Sequence, residues 1–307
     1  MSEPTSANDS RTAPSADNFA ALSSALEAIG EWPVGSAAAA VIGAGSGGTD
    51  GSVGAPAILA TYGDTGEVFE LASVTKLLTA AAVLLAVEEG AFEADTPAGP
   101  EGSTVRHLLA HASGLAFDSR EVKAAPGEKR IYSSAGYEVL AELVEAEAGM
   151  GFAEYLAEGV GGGLGMTATV LDGSAGHGAR GSVADLALLA SEMLDPRLLS
   201  AETWDDAKTT QFSGINGLVP GFGMQKPCPW GLGPEIKGEK SPHWTGKRNS
   251  ASTYGHFGQS GTFLWVDPEA TGGPLALVVL TDRAFGDWAK PLWPALSDAV
   301  VDAAAGR

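Results

Sequence analysis

At 307 residues the chain exceeds one average domain and suits either one large domain or two interlocked lobes. Hydrophobic residues make up 44% of it, enough for a sizeable core, which excludes global disorder. With 18 basic against 38 acidic residues the formal charge is −20, and no stretch concentrates Lys and Arg, so nucleic acid and anionic membrane surfaces are excluded as partners.

Residues 1–17 are rich in Ser, Thr, Asn, Asp and Pro and read as a disordered tail. They lack the basic start and apolar core of a signal peptide. The longest apolar run, 77–87, is short of the roughly 20 residues of a membrane span, so a soluble, cytoplasmic protein is expected. Phe19, Leu22, Leu26 and Ile29 recur at helical spacing and predict a first helix over 18–29. Strands are predicted at 37–42 and 57–62 with a Gly, Ser and Asp rich turn between them. Gly63-Asp64-Thr65-Gly66 then makes a hairpin-like turn into a third strand over 68–71. The unbroken Leu, Ala and Val run of 74–89 predicts a buried helix, with Gly90 as its C-cap.

From 105 to about 195 the chain is helical in tone, most clearly over 137–147 and 182–194, with loops at 125–127 and 159–165. The pattern of 205–250 is poor. Two apolar runs, 261–266 and 275–281, predict strands, and a helix over 287–304 closes the chain. Cys228 is the only cysteine, which rules out an intrachain disulfide, and its place between Pro227 and Pro229 suits a bend. Strands at both ends with helices between them predict an α+β fold, an α/β sandwich. Its antiparallel sheet is built from both chain ends and flanked by helices, with a mainly helical lobe inserted. The expected division is an α/β lobe of 18–75 plus 228–307 and a helical lobe of 76–227, with the active site between them.

Leu71-Ala72-Ser73-Val74-Thr75-Lys76 sits where a strand gives way to the long helix. Residues three apart share a helical face, so the Ser73 hydroxyl and the Lys76 amine can meet. The positive field of the helix N-terminus favours negative charge at Ser73. The same field, with burial, lowers the pKa of Lys76 and makes it a proton acceptor. One Ser-x-x-Lys is expected by chance in a chain of this composition, and a capping serine followed by a solvated lysine would look the same.

Two later segments add to it: Tyr132-Ser133-Ser134, which runs into a helix, and His256-Phe257-Gly258, followed by Gln259-Ser260-Gly261 and a strand. Ser-x-x-Lys, Tyr-x-Ser and His-x-Gly in this order resemble the serine beta-lactamase and penicillin-binding-protein superfamily. The likeness is to its class C-like branch, with its esterases and D-amino-acid peptidases. Arg106-His107-Leu108-Leu109-Ala110-His111-Ala112-Ser113-Gly114-Leu115, Leu164-Gly165-Met166 and Trp230-Gly231-Leu232-Gly233 look like further segments of that branch. The resemblance implies Ser73 as nucleophile, Lys76 as its hydrogen-bond partner and Tyr132 as proton carrier, its anion stabilised by Lys76. It implies an oxyanion hole from the backbone N–H groups of Ser73 and Gln259, and Ser134, His256, Phe257 and Gly258 as substrate-binding residues. It implies no cofactor and no metal, and a small acyl substrate as the partner.

Where beta-lactamases of the branch carry Asn and then Lys-Thr-Gly, this chain has Ser134, His256 and Phe257. Serine is shorter, histidine only partly charged, and Phe without a donor. These changes weaken recognition of a carboxylate and an amide, leave acylation intact, and add an apolar wall at Phe257. An esterase of small neutral acyl esters is expected, with beta-lactamase, D-amino peptidase or acyltransferase chemistry at the same site as alternatives. A catalytically silent ligand-binding relative is the rival of another class. Gly43-Ala44-Gly45-Ser46-Gly47-Gly48 fits a dinucleotide motif, but Thr49 to Pro56 cannot form the helix it needs, so a hairpin loop is expected. His107 and His111 are four apart on a predicted helix, without the Glu or third ligand of a zinc site, and read as structural.

Overall fold

The computed structural model describes residues 16–44 and 57–307. In chain order, α1 (Ala16–Leu26) passes through a 3-10 turn, Glu27–Glu31, to β1 (Ala37–Gly43), β2 (Ala57–Tyr62) and β3 (Val68–Glu70). A 3-10 turn, Ala72–Val74, opens α2 (Thr75–Glu88). There follow α3 (Val105–Leu109), α4 (Ser134–Ala148) and α5 (Phe152–Tyr155), the last continuing as a π-helix over Leu156–Gly162. β4 (Val170–Leu171), β5 (Ala179–Ser182), α6 (Val183–Leu194) and α7 (Ala201–Ala207) precede a hairpin of β6 (Gly217–Val219) and β7 (Gly223–Gln225). β8 (Glu235–Ile236), β9 (Tyr254–Gly258), β10 (Thr262–Asp267), β11 (Leu275–Thr281) and α8 (Ala289–Ala304) complete the chain.

Six of the strands form one sheet in the order β2-β1-β11-β10-β9-β8, all neighbours antiparallel, so two strands come from the N-terminal part and four from the C-terminal part. β11 is buried along its whole length, which is why its sequence is a continuous apolar run. Leu275, Leu277 and Val279 face Leu22 and Leu26 of α1 and Trp293 and Val300 of α8. Ala276, Val278 and Leu280 face the opposite way, toward Leu77 and Leu84 of α2 and Leu186 of α6. Each such buried Leu or Val contributes roughly 1.5–3 kcal/mol. The fold is α+β, with helices on both faces of an antiparallel sheet.

Several expectations change. β3 pairs with β5 rather than with β2, so the 63–66 turn joins two sheets and does not close a hairpin. The glycine run expected as a loop at 159–165 is largely helical. Its glycines are needed for close packing: a Cβ at Gly159 would lie 2.7 Å from Leu85 of α2, and one at Gly163 would lie 2.6 Å from Leu198. His107 and His111 do not share a helical face, because α3 ends at Leu109 and His111 takes a left-handed φ of 54°. The tail at 1–17 lies outside the described residues except for 16 and 17, the first two of α1. The glycine-rich hairpin loop likewise lies outside them beyond residue 44. No described helix is long and apolar enough to cross a membrane.

Candidate active site

The 3-10 turn before α2 places Ser73 at the end of the large sheet, beside β9 and the turn that follows it. Ala72 has φ 44°, a left-handed conformation that a residue with a Cβ seldom adopts. The turn after β9 grips this segment: Ser260 Oγ donates to Glu70 O at 2.6 Å, and Thr262 Oγ1 donates to Leu71 O at 2.9 Å. Gly258 permits the approach, since a Cβ there would sit 2.3 Å from Leu71 O. The residue expected to touch substrate is thus first a point of close backbone contact. Gln259 is held from the other side, its Nε2 donating to Phe285 O at 3.1 Å and its carbonyl accepting from Phe285 N at 2.8 Å. The Ser73 and Gln259 main chains are therefore fixed relative to each other before any ligand arrives, as an oxyanion hole requires.

Lys76, one turn into the helix, is fully buried, and burial pulls its pKa from 10.5 down to about 7, against a small opposing pull from Glu138. Its Nζ lies 2.7 Å from Gly176 O, 3.1 Å from Ser134 Oγ and 3.5 Å from Ser73 Oγ. A neutral amine has two N–H groups and one lone pair. Gly176 and Ser134 take the two hydrogens, which turns the lone pair to the Ser73 hydroxyl. The loop that offers Gly176 is clamped along α2: Thr79 Oγ1 donates to Ala175 O, and Thr75 Oγ1 accepts from Ala179 N. A Cβ on Gly176 would stand 2.9 Å from that of Ser134, so this approach too depends on glycine. Ser134 partners Lys76 and also lines the cavity beside Ser73.

Tyr132 lies on the extended segment before α4, and its neighbours on both sides are tied to His111. Ile131 N donates to His111 O, and Ser133 N donates to His111 Nδ1 at 3.1 Å. The His111 ring packs against the Tyr132 ring, tilted, with centroids 4.5 Å apart, and burial holds its pKa far below the usual value, so it acts as a neutral brace. Arg130 fixes the same segment through the carbonyls of Ala110, Gln211 and Cys228. Burial raises the Tyr132 phenol above its usual range. Lys76 lies 4.6 Å over the ring, and the phenol is neutral at rest.

His256, on β9, has the ordinary value of a partly charged histidine in sequence, and the fold changes that. Burial, then the charge of Lys76, lowers its pKa to about 3. It is a neutral imidazole whose Nδ1 donates to Phe257 O at 2.7 Å, which leaves Nε2 to accept from the Tyr132 hydroxyl at 3.4 Å. Phe257 packs its ring mainly among Phe222, Trp244, Phe285 and Trp293 in the apolar layer behind the sheet, so it forms only part of the expected wall. A chamber of about 140 Å³ opens at Ser73, lined also by Phe117, Tyr132, Trp230, Glu235, His256 and Gln259. Burial would raise the Glu235 carboxyl, but Lys240 at 2.7 Å and His243 at 3.2 Å outweigh it and keep the group ionised. Phe117, Gly176 and Glu235 carry no motif, and sequence reasoning passed over them. Among the described residues no cluster of His, Cys, Asp and Glu has the makings of a metal site.

Residues 36–300 match the family model described as Beta-lactamase. This chain belongs to the beta-lactamase family. It is 56% identical to a beta-lactamase from Mycobacterium bovis whose crystal structure superposes with a TM-score of 0.85, covering 92% of this chain and 99% of that one. The fold, at 18% identity and a TM-score of 0.69, is also that of EstCE1, a hydrolase with promiscuous acyltransferase activity, over 92% of this chain and 97% of the other. Penicillin-binding protein 4* of Bacillus subtilis is 30% identical over 125 residues, covering 30% of this chain and 28% of that protein. The match therefore spans well under a third of that curated relative's length. The beta-lactamase-family chain has a serine-hydrolase fold, with Ser73, Lys76 and Tyr132 brought to one point.

Proposed function

We propose that this beta-lactamase-family chain is an esterase that hydrolyses small neutral esters through an acyl-enzyme on Ser73. The observation that carries the reading is His256. At the position where the family resemblance puts a cation for the substrate carboxylate stands a buried, neutral imidazole with both nitrogens engaged. Glu235 and Lys240 near the chamber are already paired with each other, so that lysine is not free to bind an anionic substrate.

Lys76, as the free amine, takes the Ser73 proton while Oγ attacks the ester carbonyl. The oxygen that gains charge is met by the N–H groups of Ser73 and Gln259, a contribution of roughly 3 kcal/mol per donor. As the C–O bond breaks, Tyr132 gives its proton to the departing alkoxide and recovers one from the Lys76 ammonium. Water, deprotonated by the same groups, then attacks the acyl carbon and frees Ser73. The 3.5 Å between Lys76 and Ser73 is long for proton transfer, as is usual before substrate tightens a site.

The name of the 56%-identical relative favours a second reading, that the substrate is a beta-lactam. Turnover of p-nitrophenyl acetate and of a chromogenic cephalosporin, by wild type and by Ser73→Ala, decides between them. Ester turnover is expected to dominate and to vanish in the variant. Dominant cephalosporin turnover would overturn the esterase reading, and unchanged activity in Ser73→Ala would overturn the role of Ser73.

A further inference from the structure

Two grooves leave the Ser73 chamber, and they differ in chemistry. One, of about 820 Å³, is the more polar of the two, with Glu70, Asp172, His177 and Arg180 along it beside Phe117 and Ala179. The other, of about 660 Å³, shares Phe117, Tyr132 and Pro220 with the chamber and continues past Ile131 to Leu218 and Met224, with Glu128, Lys129 and Lys226 also along it. Leu218 and Met224 are directly opposed across the β6–β7 hairpin, so both project from one face of it. They are 54% and 56% exposed, and Phe117 on the facing wall is 54% exposed. Leu218 and Met224, held in water along this groove and not the other, with Phe117 at the mouth of both, mark a place where apolar matter binds.

We infer that this groove binds the alkyl part of the leaving alcohol, which makes the enzyme selective for esters of aliphatic alcohols. The inference rests on the esterase reading above and deepens it. Its direction follows from the proton. Departure of the alkoxide needs a donor within hydrogen-bond reach, and that donor is Tyr132. Tyr132 lines the chamber and the apolar groove and is absent from the lining of the polar one. An ester with its carbonyl oxygen at the Ser73 and Gln259 N–H groups and its alkoxy oxygen at the Tyr132 hydroxyl therefore runs its alcohol chain toward Leu218 and Met224. The acyl substituent points to the polar groove with Ser134 and Ser260.

Burial of a methylene in such a groove raises affinity by about two- to fourfold, according to how fully it is covered. Acetate esters of ethanol through hexanol are thus expected to gain about that factor in kcat/KM per added methylene, whereas ethyl esters of acetate through hexanoate gain little. The double variant Leu218→Ser, Met224→Ser is expected to flatten the alcohol series and leave the slope of the acyl series where it was. In the Ser73→Ala protein, hexanol but not ethanol is expected to bind, with saturation-transfer NMR signal on its alkyl chain that the Leu218→Ser, Met224→Ser change removes, a reading that needs no turnover. Ser73-dependent hydrolysis with a preference that follows the acyl chain, or with none, would overturn the groove assignment and leave the esterase reading standing. Absence of hydrolysis across both series would overturn the esterase reading, and absence of hexanol binding would overturn the groove.

Discussion

Lys76→Met exchanges a buried amine for an apolar side chain of similar length, and its effect on stability has a definite pH signature. The lysine titrates at about 7 in the folded chain against 10.5 as its ordinary value. Between these values the unfolded state binds a proton that the folded state has lost, so wild-type stability rises with pH across that window and is level below it. At pH 7 the group destabilises the fold by about 4 kcal/mol, and at pH 9.5 by about 1 kcal/mol. Methionine removes this cost but leaves Gly176 O and Ser134 Oγ without their donor, a loss of roughly 1–3 kcal/mol. The variant is therefore expected to be more stable than wild type by about 2 kcal/mol at pH 7, while ester turnover falls by orders of magnitude. The advantage should disappear or reverse by pH 9.5. Urea unfolding of both proteins at pH 6, 7, 8.5 and 9.5 measures the difference. A Lys76→Met protein that is less stable at every pH, or a difference independent of pH, would refute an amine kept neutral by burial.

The same pKa sets the activity profile, because the base form of Lys76 is lost as pH falls through about 7. The kcat/KM for an ester should rise through that value, and His256→Gln, which keeps a hydrogen-bond acceptor, should leave the limb in place because His256 is neutral down to about 3. A limb that moves with His256 would assign the titration to the imidazole. Gly258→Ala puts a Cβ 2.3 Å from Leu71 O and 2.6 Å from Thr262 Oγ1. Thermal unfolding should show a loss of about 1–3 kcal/mol, and ester kinetics a lower kcat as the Ser73 and Gln259 main chains move apart. An unchanged kcat would mean that the grip of β9 on Leu71 does not set the oxyanion geometry.

Sequence alone determined the elements whose physics is local or periodic. The apolar run of β11 and the unbroken Leu, Ala and Val stretch of α2 were legible because burial on all sides needs continuous apolar sequence. Gly90 was legible as a cap because it takes φ 77°. The partnership of Ser73 with Lys76 follows from helical spacing, and the order of the three motifs was enough to bring Tyr132 and His256 to the same place. Features that depend on what comes near a residue from far along the chain were not legible. Gly159 and Gly163 looked like a loop, since the side chains that crowd them belong to Leu85 and Leu198. The pairing of β3 with β5 spans more than a hundred residues and has no local mark.

Charge state is where the tertiary structure decided most. A lysine, a histidine and a tyrosine in sequence carry their ordinary pKa values. Only enclosure, with Gly176, Ser134 and the aromatic rings replacing water, makes Lys76 a base near neutrality and His256 a neutral acceptor, and keeps the Tyr132 phenol protonated. The same holds for the two grooves. Leu218 and Met224 sit in a stretch without a clear pattern, and their place beside Tyr132 exists only once the β6–β7 hairpin has folded against the 128–132 segment. Desolvation and long-range juxtaposition are properties of the packed chain, and no spacing along the sequence encodes them.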